Sequence, residues 1–221
     1  MDVTAIIAPL NDAQREAVTA PSRPTLVLAG AGSGKTRVLV HRVAWLIQVE
    51  GLSPQRLLAV TFTNKAAAEM RQRIESLLGF ATRHFWIGTF HGLAHRLLRV
   101  HSAEAGLPEG FQIMDSEDQL KLIRRLLKVL EIDESEWAPK EIQWFINAQK
   151  DEGLRPADVH DEGNAGRRQL IELYSRYEAA CAEAGLVDFG ELLLRAKELL
   201  ARNDAIREQY QARFQHILVD E

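Results

Sequence analysis

The stretch "PTLVLAGAGSGKT", residues 24–36, decides the fold class of this chain. Its first part, 24–30, is a short apolar run ending in glycine, the pattern of a strand buried on both faces. Its last residues open "KTRVLVHRVAWLIQV" (35–49), where Leu39, Val43, Leu46 and Ile47 fall at helical spacing. Between them, "AGAGSGKT" (29–36) departs from the strict phosphate-loop pattern only in having Ala29 where the pattern has Gly. Gly30, Gly32 and Gly34 let backbone N–H groups curl around a phosphate, and the helix N-terminus adds its dipole. Lys35 can reach the β- and γ-phosphates, and the Thr36 hydroxyl can ligate Mg²⁺. The loop alone does not separate metabolite kinases, GTPases, transporters and motors.

Outward from the loop the same alternation repeats. "RLLAVTFT" (56–63) and "HFWIGTF" (84–90) read as buried strands, each leading into a helix, 64–79 and 91–106. Gly79 is placed as a helix C-cap. Strands alternating with helices of this length predict right-handed crossovers and a parallel sheet. Beyond about residue 107 the strand signal ends. Ser116 and Gln119 form a capping-box pattern before "LKLIRRLLKVL", and helical patterns continue over 139–153, 167–185 and 188–203. One strand then returns as "HILVDE" (216–221). The expected fold is α/β, a P-loop parallel sheet with a mainly α-helical insertion.

That last stretch supplies the acid such a loop needs. Ile217, Leu218 and Val219 deliver Asp220 to a strand tip, where it can hold Mg²⁺. Glu221, one residue on, is placed to polarise an attacking water, which favours hydrolysis over transfer to a metabolite.

Composition sets the outer bounds. A hydrophobic content of 46% supports a real core, and neither an 18-residue apolar run nor a leader pattern is present. Cys181 is the single cysteine, which suits a reducing cytoplasm, and among helix formers it reads as a packing residue. The net charge is -4, but residues 1–110 hold 12 Lys+Arg against 8 Asp+Glu and residues 111–221 hold 15 against 23. A local basic face is compatible with that balance.

Two strand tips carry residues suited to a nucleic-acid strand. In "TFTNKAAAEM" (61–70), Thr61, Thr63 and Asn64 offer short polar donors, Phe62 a ring face to a base, and Lys65 a cation to phosphate. In "GTFHGLAHRLLR" (88–99), Thr89, Phe90 and His91 lie at the tip, with Arg96 and Arg99 on the following helix. Upstream, in "LNDAQREAV" (10–18), the Gln14 amide can donate to and accept from adenine. Trp45, Trp86, Trp137 and Trp144 read as core residues.

These stretches, with "AQKDEGLRP" (148–156), "GLVDFGELLL" (185–194) and "ILVDE", resemble superfamily 1 DNA helicases of the UvrD/Rep/PcrA type over the whole chain, in order. The resemblance implies a cytoplasmic motor of two RecA-like domains that moves 3′ to 5′ on single-stranded DNA, with ATP and Mg²⁺ as cofactors. It implies that Ala29, Gly30, Ala31, Gly32, Ser33, Gly34, Lys35 and Thr36 wrap the phosphates. Gln14 then faces adenine, Arg37 lies alongside the nucleotide, and Asp220 and Glu221 serve metal and water. Phe62, Thr63, Asn64, Lys65, His91 and Arg96 match the single-strand track. Residues 1–89 and 214–221 map to the first RecA-like domain and 90–213 to its helical insertion. Single-stranded and junction DNA, and the proteins of nucleotide excision and mismatch repair, come as partners with the resemblance, with no membrane. The chain is expected to be an N-terminal fragment that does not unwind DNA alone. A helicase–nuclease sharing these motifs, a small-molecule kinase and a non-catalytic interaction module are the alternatives.

Overall fold

The short α1 (Thr4–Ile7) precedes α2 (Asp12–Thr19), which starts from a reciprocal cap: Asn11 Oδ1 accepts from Gln14 N at 2.9 Å, and Gln14 Oε1 accepts from Asn11 N at 3.2 Å. There follow α3 (Lys35–Gln48), β1 (Leu57–Thr61), α4 (Asn64–Leu78), β2 (Trp86–Thr89) and α5 (Phe90–Val100). Next come β3 (Gln112–Ile113), α6 (Ser116–Val129), α7 (Pro139–Asp151), α8 (Ala165–Ala184), β4 (Leu186–Val187) and α9 (Phe189–Arg202), then α10 (Asp204–Arg213) and β5 (His216–Asp220). This computed structural model describes residues 3–220. The chain is a mixed α/β fold with a parallel sheet and many helices.

It divides into two compact units, Met1–Leu93 with Ala205–Glu221, and Ala94–Asp204. In the first, three parallel strands lie in the order β2–β1–β5. Leu57, Ala59 and Ile87 face a core built from Leu39, Val43 and Leu46 of α3 and Met70, Ile74 and Leu78 of α4. On the other face, Trp86 meets the edges of Tyr210 and Phe214 at 5.7 and 5.3 Å between ring centroids. Gly79 caps α4 in a left-handed conformation, φ 75°, as expected.

The expected first strand, 24–30, is not a strand. A strand is held by cross-chain backbone bonds, and a cleft of about 460 Å³ separates residues 24–27 from the outer edge of β5. Leu26 and Leu28 are consequently 80% and 84% exposed.

In the second unit, Ile123 and Leu127 of α6, Ile142 and Ile146 of α7, and Leu173, Tyr174 and Tyr177 of α8 form one core. Cys181 is buried in it, and burial pushes its thiol up to about 12. The parallel pair β3–β4, two residues each, is too short to show a period in sequence. Helix α5 ends at Val100, not at 106. Trp45 and Trp137 pack against cores and Trp86 is buried, but Trp144 is 73% exposed. Ile142, Phe145 and Ile146 take the inward stripe of α7, which turns Trp144 outward. Among the described residues no helix is long and apolar enough to cross a membrane.

The cap of α6 also differs from the expected Ser116. Asp115 holds that place, its Oδ1 accepting from the backbone N–H of Glu117 and Asp118, each at 2.9 Å. Asp115→Ala is therefore expected to destabilise the second unit by about 1 kcal/mol, and Ser116→Ala by a few tenths at most. Urea denaturation of both variants checks this; the reverse ranking would restore Ser116 as the cap.

Candidate functional site

The loop 29–36 turns on glycines whose backbone other residues adopt only with strain. Gly32 and Gly34 have φ of 77° and 88°, and a Cβ on Gly34 would come 2.8 Å from the Gln14 side-chain nitrogen. That nitrogen donates to the Ser33 carbonyl at 2.9 Å, so Gln14 joins the cap of α2 to the loop. Both ends of its amide are engaged within the protein. The Lys35 ammonium folds back onto its own loop, donating to the carbonyls of Ala29 at 2.9 Å and Gly30 at 3.1 Å. Arg37 is exposed on the first turn of α3.

Residues 184 apart in sequence close the site. The Thr36 hydroxyl, on the second residue of α3, donates to Asp220 Oδ2 at 2.9 Å. Parallel pairing with β1 brings Asp220 there, opposite Thr61. Two hard oxygen donors beside the loop 29–36 suit a Mg²⁺ ion shared with phosphates, which keeps most of its shell as water and phosphate oxygen. Among the described residues, no three His, Cys, Asp or Glu gather into a metal cage. Glu221 lies outside the described residues.

The strand tips divide into exposed and buried members. Phe62 is 80% exposed, and Thr63, Asn64 and Lys65 are exposed beside it. Thr63 also caps α4, its hydroxyl accepting from Ala66 N at 3.1 Å. Thr61 and Thr89, expected as surface donors, are instead 3% and 7% exposed. They end their strands in register with each other and lie below the surface that Phe62 reaches. His91 is half-buried in the first unit, and Arg96 is half-buried in the second.

The family described as UvrD/REP helicase N-terminal domain matches residues 10–221. The chain belongs to that family. DNA helicase II of Escherichia coli (strain K12) is 58% identical over 221 residues, covering 100% of this chain and 31% of that protein. DNA helicase II of Haemophilus influenzae is 57% identical over 225 residues, again 100% of this chain and 31% of that protein. ATP-dependent DNA helicase PcrA of Bacillus subtilis (strain 168) is 38% identical over 217 residues, 98% of this chain and 29% of that protein. The chain thus spans about a third of the length of the curated relatives it matches.

For this member of the UvrD/REP family, the stretches "AQKDEGLRP" and "GLVDFGELLL" prove to be one structure. Lys150, 5% exposed, lies 2.8 Å from Asp188 Oδ2 and 2.9 Å from Glu191 Oε2. Arg155 grips Glu198 through two nitrogens at 2.7 and 2.8 Å and also pairs with Glu191. Tyr177 donates to Asp188 at 2.6 Å, and Asp188 caps α9 through Glu191 N at 2.7 Å. Burial pushes Glu191 up, but Lys150, Arg155 and Arg195 more than offset it and hold the carboxyl at about 2. Catalytic motifs in the sequence do not point to this cluster. Its signal is Lys150 itself, four residues after Ile146 and eight after Ile142 on the apolar stripe of α7.

Proposed function

We propose that the chain is the N-terminal part of an ATP-dependent DNA helicase that translocates 3′ to 5′ on single-stranded DNA in the bacterial cytoplasm, in excision and mismatch repair. The observation that carries this reading is the Thr36–Asp220 hydrogen bond, which joins a phosphate loop to a strand-tip carboxylate. Family membership and relatives named DNA helicase II and PcrA support the nucleic-acid half. In this proposal residues 1–89 and 214–221 belong to a first RecA-like P-loop domain, and 90–213 to its helical insertion.

The roles follow from chemistry. Backbone N–H groups of residues 30–36 bind the ATP phosphates. Lys35 exchanges two neutral carbonyls for an anion, a stronger charge-assisted contact. Thr36 and Asp220 hold Mg²⁺, which supplies charge neutralisation at the phosphates when bound. Glu221 takes the proton of the attacking water, Gln14 turns its amide to adenine, and Arg37 lies along the nucleotide. Phe62 stacks on a base, and Thr63, Asn64, Lys65, His91 and Arg96 follow the strand's phosphates. The 221 residues by themselves are expected not to separate strands.

The test is ATP hydrolysis by the full-length protein with and without single-stranded DNA, together with strand separation on duplexes bearing a 3′ or a 5′ tail. DNA-stimulated turnover and unwinding from the 3′ tail are expected. Turnover indifferent to DNA would overturn the motor, and unwinding only from the 5′ tail would overturn its direction.

A further inference from the structure

Two helices of the second unit place an arginine four residues after the carboxylate it pairs with: Glu172 and Arg176 in α8, then Glu191 and Arg195, and Glu198 and Arg202, in α9. Helix α5 has a histidine in that place. Arg99 Nε donates to His95 Nε2 at 2.8 Å. A guanidinium can only donate, so Nε2 carries no proton and the ring is neutral, with its proton on Nδ1. Burial, and then the Arg99 cation, hold that imidazole below its usual 6.5. A second neutral group also holds Arg99. Its guanidinium carbon lies 4.1 Å from the centre of the Phe111 ring. The His95 ring meets the same ring edge-on, with 5.7 Å between centroids and 88° between planes. Phe111 is itself buried, just ahead of β3.

Two neutral partners thus fix the guanidinium without neutralising it. Arg99 is exposed and pairs with no carboxylate among the described residues. That is so although residues 94–204 hold 22 Asp+Glu against 15 Lys+Arg. Packing accounts for a long stem lying over Phe111, but it requires neither the Nε bond nor a neutral acceptor at position 95. A glutamate there would fix the same side chain and add an ion pair, as Glu191 does for Arg195. Histidine instead keeps the positive charge available in a set position. With Nε taken, Nη1 and Nη2 remain as donors, a fork that matches two oxygens of one phosphate. We propose that Arg99 is a phosphate-binding residue for single-stranded DNA, its fork set by stacking on Phe111 and by His95, which acts as the positioning residue. One face of α5 carries His91, His95 and Arg99 at four-residue spacing, so the strand follows the helix from the tip of β2. Such a contact adds affinity without reading sequence. The inference rests on the proposed DNA site and adds to it a contact beyond Arg96.

The experiment measures binding of an oligothymidylate to the full-length protein, wild type and variants, across a range of salt concentrations. Each phosphate contact on a single strand contributes roughly -0.7 to the slope of log K against log salt. Arg99→Met keeps a stem over Phe111 without the charge. It is expected to weaken binding about tenfold and to flatten the slope by about 0.7. Arg99→Lys keeps stem and charge without the fork, and is expected to lose about threefold in affinity with the slope unchanged. His95→Leu removes the acceptor and is expected to weaken binding about fivefold. His95→Gln, whose amide oxygen can stand in for Nε2, is expected to restore it. Arg99→Met with the wild-type slope would overturn the phosphate contact, since a merely structural loss leaves the slope unmoved. If the methionine variant does not fold, Arg99→Lys binding as tightly as wild type would overturn it. His95→Gln as weak as His95→Leu would overturn the positioning role. Wild type that does not bind the oligothymidylate would instead overturn the DNA-binding reading, so the two failures are distinguishable.

Discussion

Lys35→Ala in the full-length protein is expected to lower ATP turnover by roughly 10²–10³-fold. The reasoning starts from where the ammonium rests. It donates to two carbonyls of its own loop, Ala29 and Gly30, both exposed, and to no buried acceptor among the described residues. Those bonds contribute little to stability, because water replaces them when the side chain is cut back. The lysine therefore stands ready for a ligand, and its loss is expected to appear in turnover and not in the melting temperature. Arginine is not a substitute: its planar fork does not match a compact ammonium cradled by a tight glycine loop. Gly34 sets the limit, since any Cβ there meets the Gln14 amide. Steady-state hydrolysis by Lys35→Ala and Lys35→Arg, with thermal melts of each, checks the claim. Turnover within about fivefold of wild type in the alanine variant would remove residues 29–36 from the phosphate-binding role.

How much of this is legible in the sequence depends on whether a residue's task is local. Loops, caps and helix faces are local, so "AGAGSGKT", the Gly79 cap and the apolar stripes of α3 and α4 can be read directly. The parallel sheet follows from alternation, and Asp220 from three apolar residues ahead of an acid. Partnership is not local. Residues 24–30 have a strand's composition, yet composition does not supply a neighbour, and across the cleft from β5 they stay outside the sheet and exposed. Thr61 and Thr63 sit two apart in one tripeptide. Pairing with β2 and β5 buries the first, and the turn into α4 exposes the second. Residue type alone puts Trp144 in the core, whereas the phase of α7 places it outside. The same phase puts Lys150 inside, against the usual rule for lysine.

Lys150→Met is expected to destabilise the second unit by about 3–5 kcal/mol. The ammonium lies 2.8 Å from Asp188, 2.9 Å from Glu191 and 3.7 Å from Glu178, with its side chain 2% exposed. Removing it leaves the Asp188 carboxylate buried with only Tyr177 and the N-terminus of α9 to compensate it. Methionine keeps the stem's packing, so the loss reports charge and not volume. The cluster also fixes a pH dependence. Glu191 has its carboxyl lowered from the usual 4.5 to about 2, against the upward pull of burial, by Lys150, Arg155 and Arg195. A depressed carboxyl contributes stability that is fully present above about pH 4.5 and is lost as pH falls through about 2. That contribution is about 3 kcal/mol in the wild type. In Lys150→Met the acid loss between those pH values is expected to shrink, because one of the three cations holding Glu191 ionised is gone. Amide hydrogen exchange across α7, α8 and α9, followed from about pH 7 to about pH 3, separates the two effects. A variant less than about 1 kcal/mol weaker at neutral pH would show that Arg155 and Arg195 carry the cluster and that the buried lysine is dispensable.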